Sequence, residues 1–484
     1  MVSKSKKIVA LLLTAMMAAT AFAGCGGGET TTSSTAPAAS TASTSGDTSA
    51  SGDASQTQAS TTAEAVDLDS ADMLQKIKDQ IAQEAAATEN VVSMTVWCSG
   101  DDFQFEKTLV KEFEEKYADS RYTFKIKVNG SIGEDSAGGK ITESPKDGAD
   151  VFSFADDQLS KLVEAKAIAP VGAIFQNNVI ANNTADSVAV CSMDGVPYAF
   201  PKTSDNGYFL YYDKRIFPTE ADVASLDDMI TKAAAANKNV YLNISNAWYN
   251  TGFYFSAGVD ITYQNGLQKA NFDSEEGLKA AKAMCHVAES QGKGFEGTAG
   301  TMGDNAAVQQ GFAEGTLAAA VIGTWVGPAI KQAIGNDNVG AAKLPTVLMG
   351  DEQVQLHSFG GYKVIGANAF SKYTVTAQTL AYFLSNPDSQ LKRYQERGLI
   401  PTSNQALNST YKDANGNDVV VKDDPALQAI EAQAPFAHAQ GQSVGGKYWA
   451  SNVAGFGGEI VTAKGKISDD KLKESLKNLQ AQMD

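Results

Sequence analysis

The four tryptophans of this 484-residue chain stand beside polar, turn-forming residues rather than inside apolar runs. Trp97 closes a strand-like run and precedes Cys98-Ser99-Gly100-Asp101-Asp102, and Trp248-Tyr249 follows Asn246. Trp325 follows Gly323-Thr324, and Tyr448-Trp449 follows Gly445-Gly446-Lys447. Aromatic faces beside carboxylates and amides suit a sugar. The apolar C–H face of a pyranose stacks on the ring while Asp and Asn take its hydroxyls, and a hydroxyl left unpaired costs about 1–3 kcal/mol. Core packing is the competing explanation for each Trp, and for Trp97 above all.

Other chemistries find little support. His286, His357 and His438, like Cys25, Cys98, Cys191 and Cys285, are scattered singly, with no CxxC or HExxH pair, so neither a zinc site nor a cofactor is expected. Gly133 to Lys140 approaches a Walker loop, but Gly139 separates the second Gly from the Lys, and Ile141 stands where Ser or Thr is needed. It reads as a loop. Asp101-Asp102 and Asp156-Asp157 invite a glycosidase reading, yet neighbouring carboxylates diverge, whereas hydrolysis needs two facing each other at about 5–9 Å. Folding could still bring Asp101, Asp157 and Asp205 together, so a surface glycoside hydrolase stays open.

Strands alternating with helices must position these residues. Val91 to Trp97 reads as a strand, Phe105, Leu109, Val110 and Phe113 fall at helical spacing, and Arg121 to Val128 alternates again as a strand. Strands at Val151–Phe154, Gly207–Tyr212, Val240–Ile244, Leu317–Gly323 and Tyr362–Gly366 follow, separated by helical stretches such as Ser225–Ala236 and Ser274–Ser290. This grammar predicts an α/β fold whose parallel sheets are covered on both faces. Ligands bind at the carboxyl ends of such strands, where the Trp-bearing loops fall.

The N-terminus reads as an address. Lys4, Lys6 and Lys7 precede an apolar run from Ile8 to Phe22, too short to span a bilayer, ending in Phe22-Ala23-Gly24-Cys25. The next forty residues are mostly Ser, Thr and Ala and cannot bury enough apolar surface to fold, so they read as a linker. A short amphipathic helix with Met73, Ile77 and Ile81 follows. With 39 Lys and Arg against 56 Asp and Glu, the net charge of -17 argues against a nucleic-acid partner. No essential disulfide is expected among Cys98, Cys191 and Cys285.

From about Val92 to the C-terminus the chain resembles the family 1 extracellular solute-binding proteins of sugar ABC importers, the maltose/maltodextrin-binding group in particular. Met94-Thr95-Val96-Trp97, Ala149 to Gln158, Gly195 to Pro201, Tyr211 to Arg215 and Gly311 to Trp325 carry the likeness in that order. The N-terminal segment similarly resembles a lipobox, with Phe where Leu is usual. That resemblance implies cleavage before Cys25, lipid on its sulfur, and a protein anchored to the outer face of the cytoplasmic membrane, of the Gram-positive type.

The family resemblance implies a type II binding-protein fold: two lobes, each a mostly parallel sheet flanked by helices, joined by hinge crossings near Ser204–Gly207, Glu352–His357 and Ile400–Ser403. The domains would be residues 1–24 (signal), 25–68 (anchor and linker), 69–90 (short helix), 91–204 with 357–400 (first lobe), and 205–356 with 401–484 (second lobe). Position by position it implies sugar contacts from Asp101, Asp102, Phe154, Asp157, Gln158, Asp205, Asn246, Trp248, Tyr249, Trp325, Tyr448 and Trp449. Among these, Phe154, Trp248, Trp325 and Trp449 would stack on sugar rings. Asp102, Phe154, Gln158, Asp205 and Asn246 depart from the family's commoner residues. The implied function is non-catalytic: a monomer captures an α-1,4-gluco-oligosaccharide by closing its lobes and delivers it to a membrane permease. The same sequence is also compatible with a receptor for a different oligosaccharide and, less readily, with an adhesive surface protein.

Overall fold

The computed structural model describes residues 64–483 apart from 265, 414 and 415. The signal segment, Cys25 and most of the linker therefore lie outside the described residues. The chain enters a first sheet through β1 (Val91–Trp97), β2 (Thr123–Asn129), β3 (Val151–Ala155) and β4 (Phe200–Thr203). It then crosses into a second sheet made by β5 (Phe209–Asp213), β6 (Asn239–Tyr241), β7 (Phe295–Glu296), β8 (Leu317–Ile322) and β9 (Val339–Ala342), and returns to the first as β10 (Lys363–Ala367). The spatial orders are β2-β1-β3-β10-β4 and β7-β6-β8-β5-β9.

The two helix-flanked α/β lobes are those expected of a type II binding-protein fold, and each sheet is mixed. In each, the fourth strand runs against its neighbours: β10 pairs antiparallel with β3 and β4, and β5 antiparallel with β8 and β9. Parallel neighbours need a crossover, commonly a helix. β5 and β10 instead arrive straight from the other lobe, so nothing reverses them. The central strands β3 and β8 are buried along their whole length because helices cover both faces.

Between the sheets the chain passes at residues 203–209, 355–363 and 399–404. The second passage lies C-terminal to its expected place because Glu352–Gln355 pairs antiparallel with Thr346–Met349 and so belongs to the second lobe. Ser358–Gly360 within that passage pairs in parallel with Ala437–Ala439.

The leading helix, α1 (Ala71–Ala86), is part of the first lobe. Ile77, Ile81 and Ala85 are fully buried. The Glu84 carboxylate accepts from the backbone N–H groups of Val375 (2.7 Å) and Thr376 (3.0 Å) at the start of the helix Thr374–Ser385, satisfying two donors that such an end otherwise leaves open. The Val66 backbone exchanges two hydrogen bonds with the Asn178 side chain, and Leu68 is buried, so the folded body already includes residues assigned above to the linker. Cys98, Cys191 and Cys285 are free and buried. No helix among the described residues is long and apolar enough to cross a membrane.

Candidate binding cleft

A cavity of about 940 Å³ opens between the lobes, where the loops after β1, β3 and β8 meet helix N-termini. The first lobe contributes Asp101 and Asp102 after β1, Glu134 and Asp135, Lys363 at the start of β10, and Arg397 at the end of the helix Pro387–Arg397. From the second come Asn246, Trp248 and Tyr249 at the start of α2 (Ala247–Ala257), Asp304 and Asn305 at the start of α3 (Asp304–Ala313), Trp325, Gln440 and Trp449.

Two helix starts build the aromatic wall. Asn246 caps α2 by accepting from the Trp248 N–H (2.9 Å), and its own amide donates to Asp304 Oδ2 (2.9 Å). Asp304 Oδ1 accepts from the Tyr241 hydroxyl (2.7 Å) and the Asn243 amide (2.8 Å). Burial and the Asp304 charge both push the Tyr241 phenol up, so it remains a donor. The Trp325 indole N–H donates to Asn305 Oδ1 (2.8 Å), and its ring lies 5.9 Å from that of Trp248 at 37°. Trp248 is braced edge-on by Tyr208 at 4.9 Å. Trp449 is 40% exposed, with Phe359 of the hinge 6.1 Å away.

The lobes touch across this cleft. Asn305 donates to Asp101 Oδ2 (3.3 Å). Trp248 Nε1 donates to Gln440 Oε1 (3.0 Å), while Gln440 Nε2 donates to Asp157 Oδ2 (3.1 Å), so one amide relays between the aromatic wall and the first lobe. Lys363 Nζ sits 4.7 Å from the Trp325 ring centroid and 3.6 Å from Asp205.

Beneath the first-lobe side lies a buried ion cluster. Lys202, only 1% exposed, reaches Glu106 (2.8 Å), Asp102 (3.7 Å) and Glu134 (3.7 Å), and Arg393 pairs with Glu106 at 3.0 Å. Burial works against ionisation of Asp102, but Lys202, Arg393, Lys363 and Arg397 outweigh it and hold the carboxyl below its usual range.

Of the residues singled out by sequence, Asp101, Asp102, Asn246, Trp248, Tyr249, Trp325 and Trp449 line the cavity. Five others do not. Phe154 is a core residue with no exposed surface, packed 5.3 Å from Phe152, so its ring has no face to offer a sugar. Tyr448 is likewise fully buried and shares a hydrogen bond with Thr251. Gln158 spends both ends of its amide in its own lobe, accepting from Gly138 N (2.7 Å) and donating to Glu134 O (2.6 Å). Asp205 is a hinge residue, buried and held by the hydroxyls of Thr203 (2.6 Å) and Thr324. Asp157 sits at the edge of the cleft on Gln440. Trp97, 9% exposed, packs in the first-lobe core.

Sequence reasoning missed Asp304, Asn305, Lys363, Arg397 and Gln440. For the first two a signal existed: Gly303-Asp304 ahead of the Val308–Phe312 spacing is a helix start. The others reach the cleft only through tertiary packing.

Two lobes of matching strand order, closing on a cleft walled by indoles and carboxylates, define a two-lobed binding protein. The chain belongs to the bacterial extracellular solute-binding proteins, whose family model matches residues 108–429. This is a family of binding proteins and not of enzymes. A galactooligosaccharide-binding protein of Bacillus subtilis is 26% identical over 301 residues, covering 60% of this chain and 66% of that protein. A maltooligosaccharide ABC transporter solute-binding lipoprotein of Streptococcus pneumoniae is 27% identical over 230 residues, 45% of this chain and 52% of that one. The matched region thus spans less than two thirds of either curated relative. A protein solved with acarbose is similar in structure, with a TM-score of 0.67 at 29% identity over 81% of this chain and 98% of that one.

Proposed function

We propose that this protein is the sugar receptor of an ABC importer, tethered through lipid on Cys25, that captures α-1,4-gluco-oligosaccharides and hands them to a membrane permease. The observation that carries this reading is the shared cleft of Trp248, Trp325 and Trp449 with Asp101, Asp304, Lys363 and Arg397. The indoles offer apolar faces to pyranose rings, and the charged groups offer partners for hydroxyls. Rings set at an angle along one wall suit a curved α-1,4 chain better than a flat β-1,4 one. Closure follows from differential binding: a sugar touching both lobes stabilises the closed form only by its additional contacts there. The acarbose-bound neighbour and the maltooligosaccharide-binding relative support a glucan ligand.

A galacto-oligosaccharide is the second reading, favoured by the galactooligosaccharide-binding relative in Bacillus subtilis. Calorimetric titration with maltotriose, cellotriose and β-1,4-galactotriose separates the two. Micromolar binding, about -8 kcal/mol, is expected for maltotriose alone. Binding of galactotriose alone would move the protein to the second reading, and binding of none would overturn the α-glucan assignment. For the anchor, Cys25→Ala is expected to release the protein into the medium, and retention of that variant on the cell would overturn it.

A further inference from the structure

The first hinge crossing is a wall between two cavities. Asn206 lines the cleft, whereas Ser204, Asp205 and Gly207 line a second cavity of about 480 Å³. Both lobes and all three crossings contribute to it.

Its chemistry differs from that of the cleft. Four carboxylates line it, Asp156, Asp186, Asp205 and Glu431, with no Lys, Arg or His among the lining residues. Asp186 and Glu431 are exposed at the rim. Asp205 is already shared with Lys363, and burial pushes the Asp156 carboxyl up to about 6. The opposite wall is apolar, built from Phe359, Leu407, Leu427 and Ile430. Within it, the Ser358 hydroxyl is fully buried and has no hydrogen-bond partner.

We propose that this cavity is a second ligand site, separate from the cleft, that takes a small organic cation: a primary ammonium or amidinium carried on an apolar body. The positive head would meet the carboxylates and donate to the unpartnered Ser358 oxygen, and the body would cover the leucine and isoleucine wall. An anion would be repelled by the rim carboxylates of Asp186 and Glu431. A neutral polyol would leave the apolar wall uncovered and bring no counter-charge to Asp186 and Glu431.

Benzylamine, protonated at neutral pH, is the probe, with benzyl alcohol as its neutral counterpart, titrated into the full-length protein without any sugar. Benzylamine is expected to bind saturably, and the alcohol about tenfold more weakly or not at all, the factor expected for losing a charge-assisted hydrogen bond. The double variant Asp186→Asn/Glu431→Gln, whose substitutions lie on the exposed rim, is expected to lose affinity for the amine with its unfolding midpoint unchanged. Trp325→Ala is expected to bind benzylamine as the parent does. Absence of saturable binding, equal binding of the alcohol, or an unaffected double variant would overturn the proposal. So would loss of amine binding in Trp325→Ala, which would place the amine in the cleft. Because no sugar enters the titration, its outcome is independent of the oligosaccharide reading.

Discussion

Lys363 and Trp325 belong to different lobes, yet the ammonium of one lies 4.7 Å from the ring centroid of the other. The same Lys also faces Asp205 at the hinge. One flexible cation therefore touches the first sheet, the hinge and the aromatic wall, so its contacts depend on how far the lobes are closed.

Replacing Lys363 by Met is expected to shift the lobes toward the open form. A partly buried cation–π contact contributes about 1 kcal/mol, roughly a fivefold change in the ratio of closed to open forms. Small-angle scattering of the two proteins without sugar reads this directly as a larger radius of gyration for Lys363→Met. An unchanged radius would mean that the contact does not bias closure.

The aromatic residues at the cleft divide into binding and folding roles. Trp325→Ala and Trp449→Ala are each expected to weaken oligosaccharide binding by about 2 kcal/mol, as for buried aromatic anchors. Tyr448→Phe removes a hydroxyl bonded to Thr251 in the core, and is expected to cost about 1 kcal/mol of stability with sugar affinity intact. Calorimetry and urea unfolding on the three variants check both halves.

Lys202 holds a cluster together. Its removal in Lys202→Met leaves Glu106, Asp102 and Glu134 with less compensation in a buried setting, and breaking such a cluster costs about 3–5 kcal/mol. The urea midpoint is expected to drop accordingly, and a change below about 1 kcal/mol, the size typical of surface pairs, would show that the cluster is solvated.

Two groups give opposite pH slopes. Burial, reinforced by the Asp156 charge, pushes Asp157 up to about 7 from an ordinary 3.8. Between those values the folded carboxyl keeps a proton that the unfolded one has lost, so this group's contribution to stability falls as pH rises through that window. Burial and the neighbouring His357 push His438 down to about 4 from 6.5, so the unfolded state takes up the proton first and stability is lost as pH falls from 6.5 toward 4. Urea midpoints across pH 4 to 7 are expected to show a shallower loss toward neutral pH in Asp157→Asn and a shallower acid loss in His438→Asn. Parallel curves for parent and variant would contradict either assignment.

Much of the fold is legible in the sequence because periodicity is local. β1 spans Val91–Trp97 as its apolar run predicts, and Phe105, Leu109, Val110 and Phe113 do form the buried face of their helix. The reversed direction of β5 and β10 is not legible, since a strand's sequence carries its pleat but not its neighbours. In the cleft, loops carrying Trp248 and Trp325 stand out because aromatic rings beside Gly, Asn and Thr are unusual in core strands. Phe154 and Tyr448 mislead because an aromatic near the cleft can equally well point away from it. Tyr448 and Trp449 are adjacent on one helical turn, so they point about 100° apart, one into the core and one into the cleft.

The sequence by itself determined the alternation of strands and helices, the acidic balance and the aromatic loops, because each depends on residues close together in the chain. Tertiary structure alone decided that Lys363 meets Trp325 and Gln440 meets Trp248, that Arg397 lines the same cleft, that Phe154 is hidden, and that Asp205 divides its contacts between hinge and wall. Side chains far apart in the chain acquire their burial and partners only when two lobes pack around three shared crossings, and no local pattern encodes that geometry.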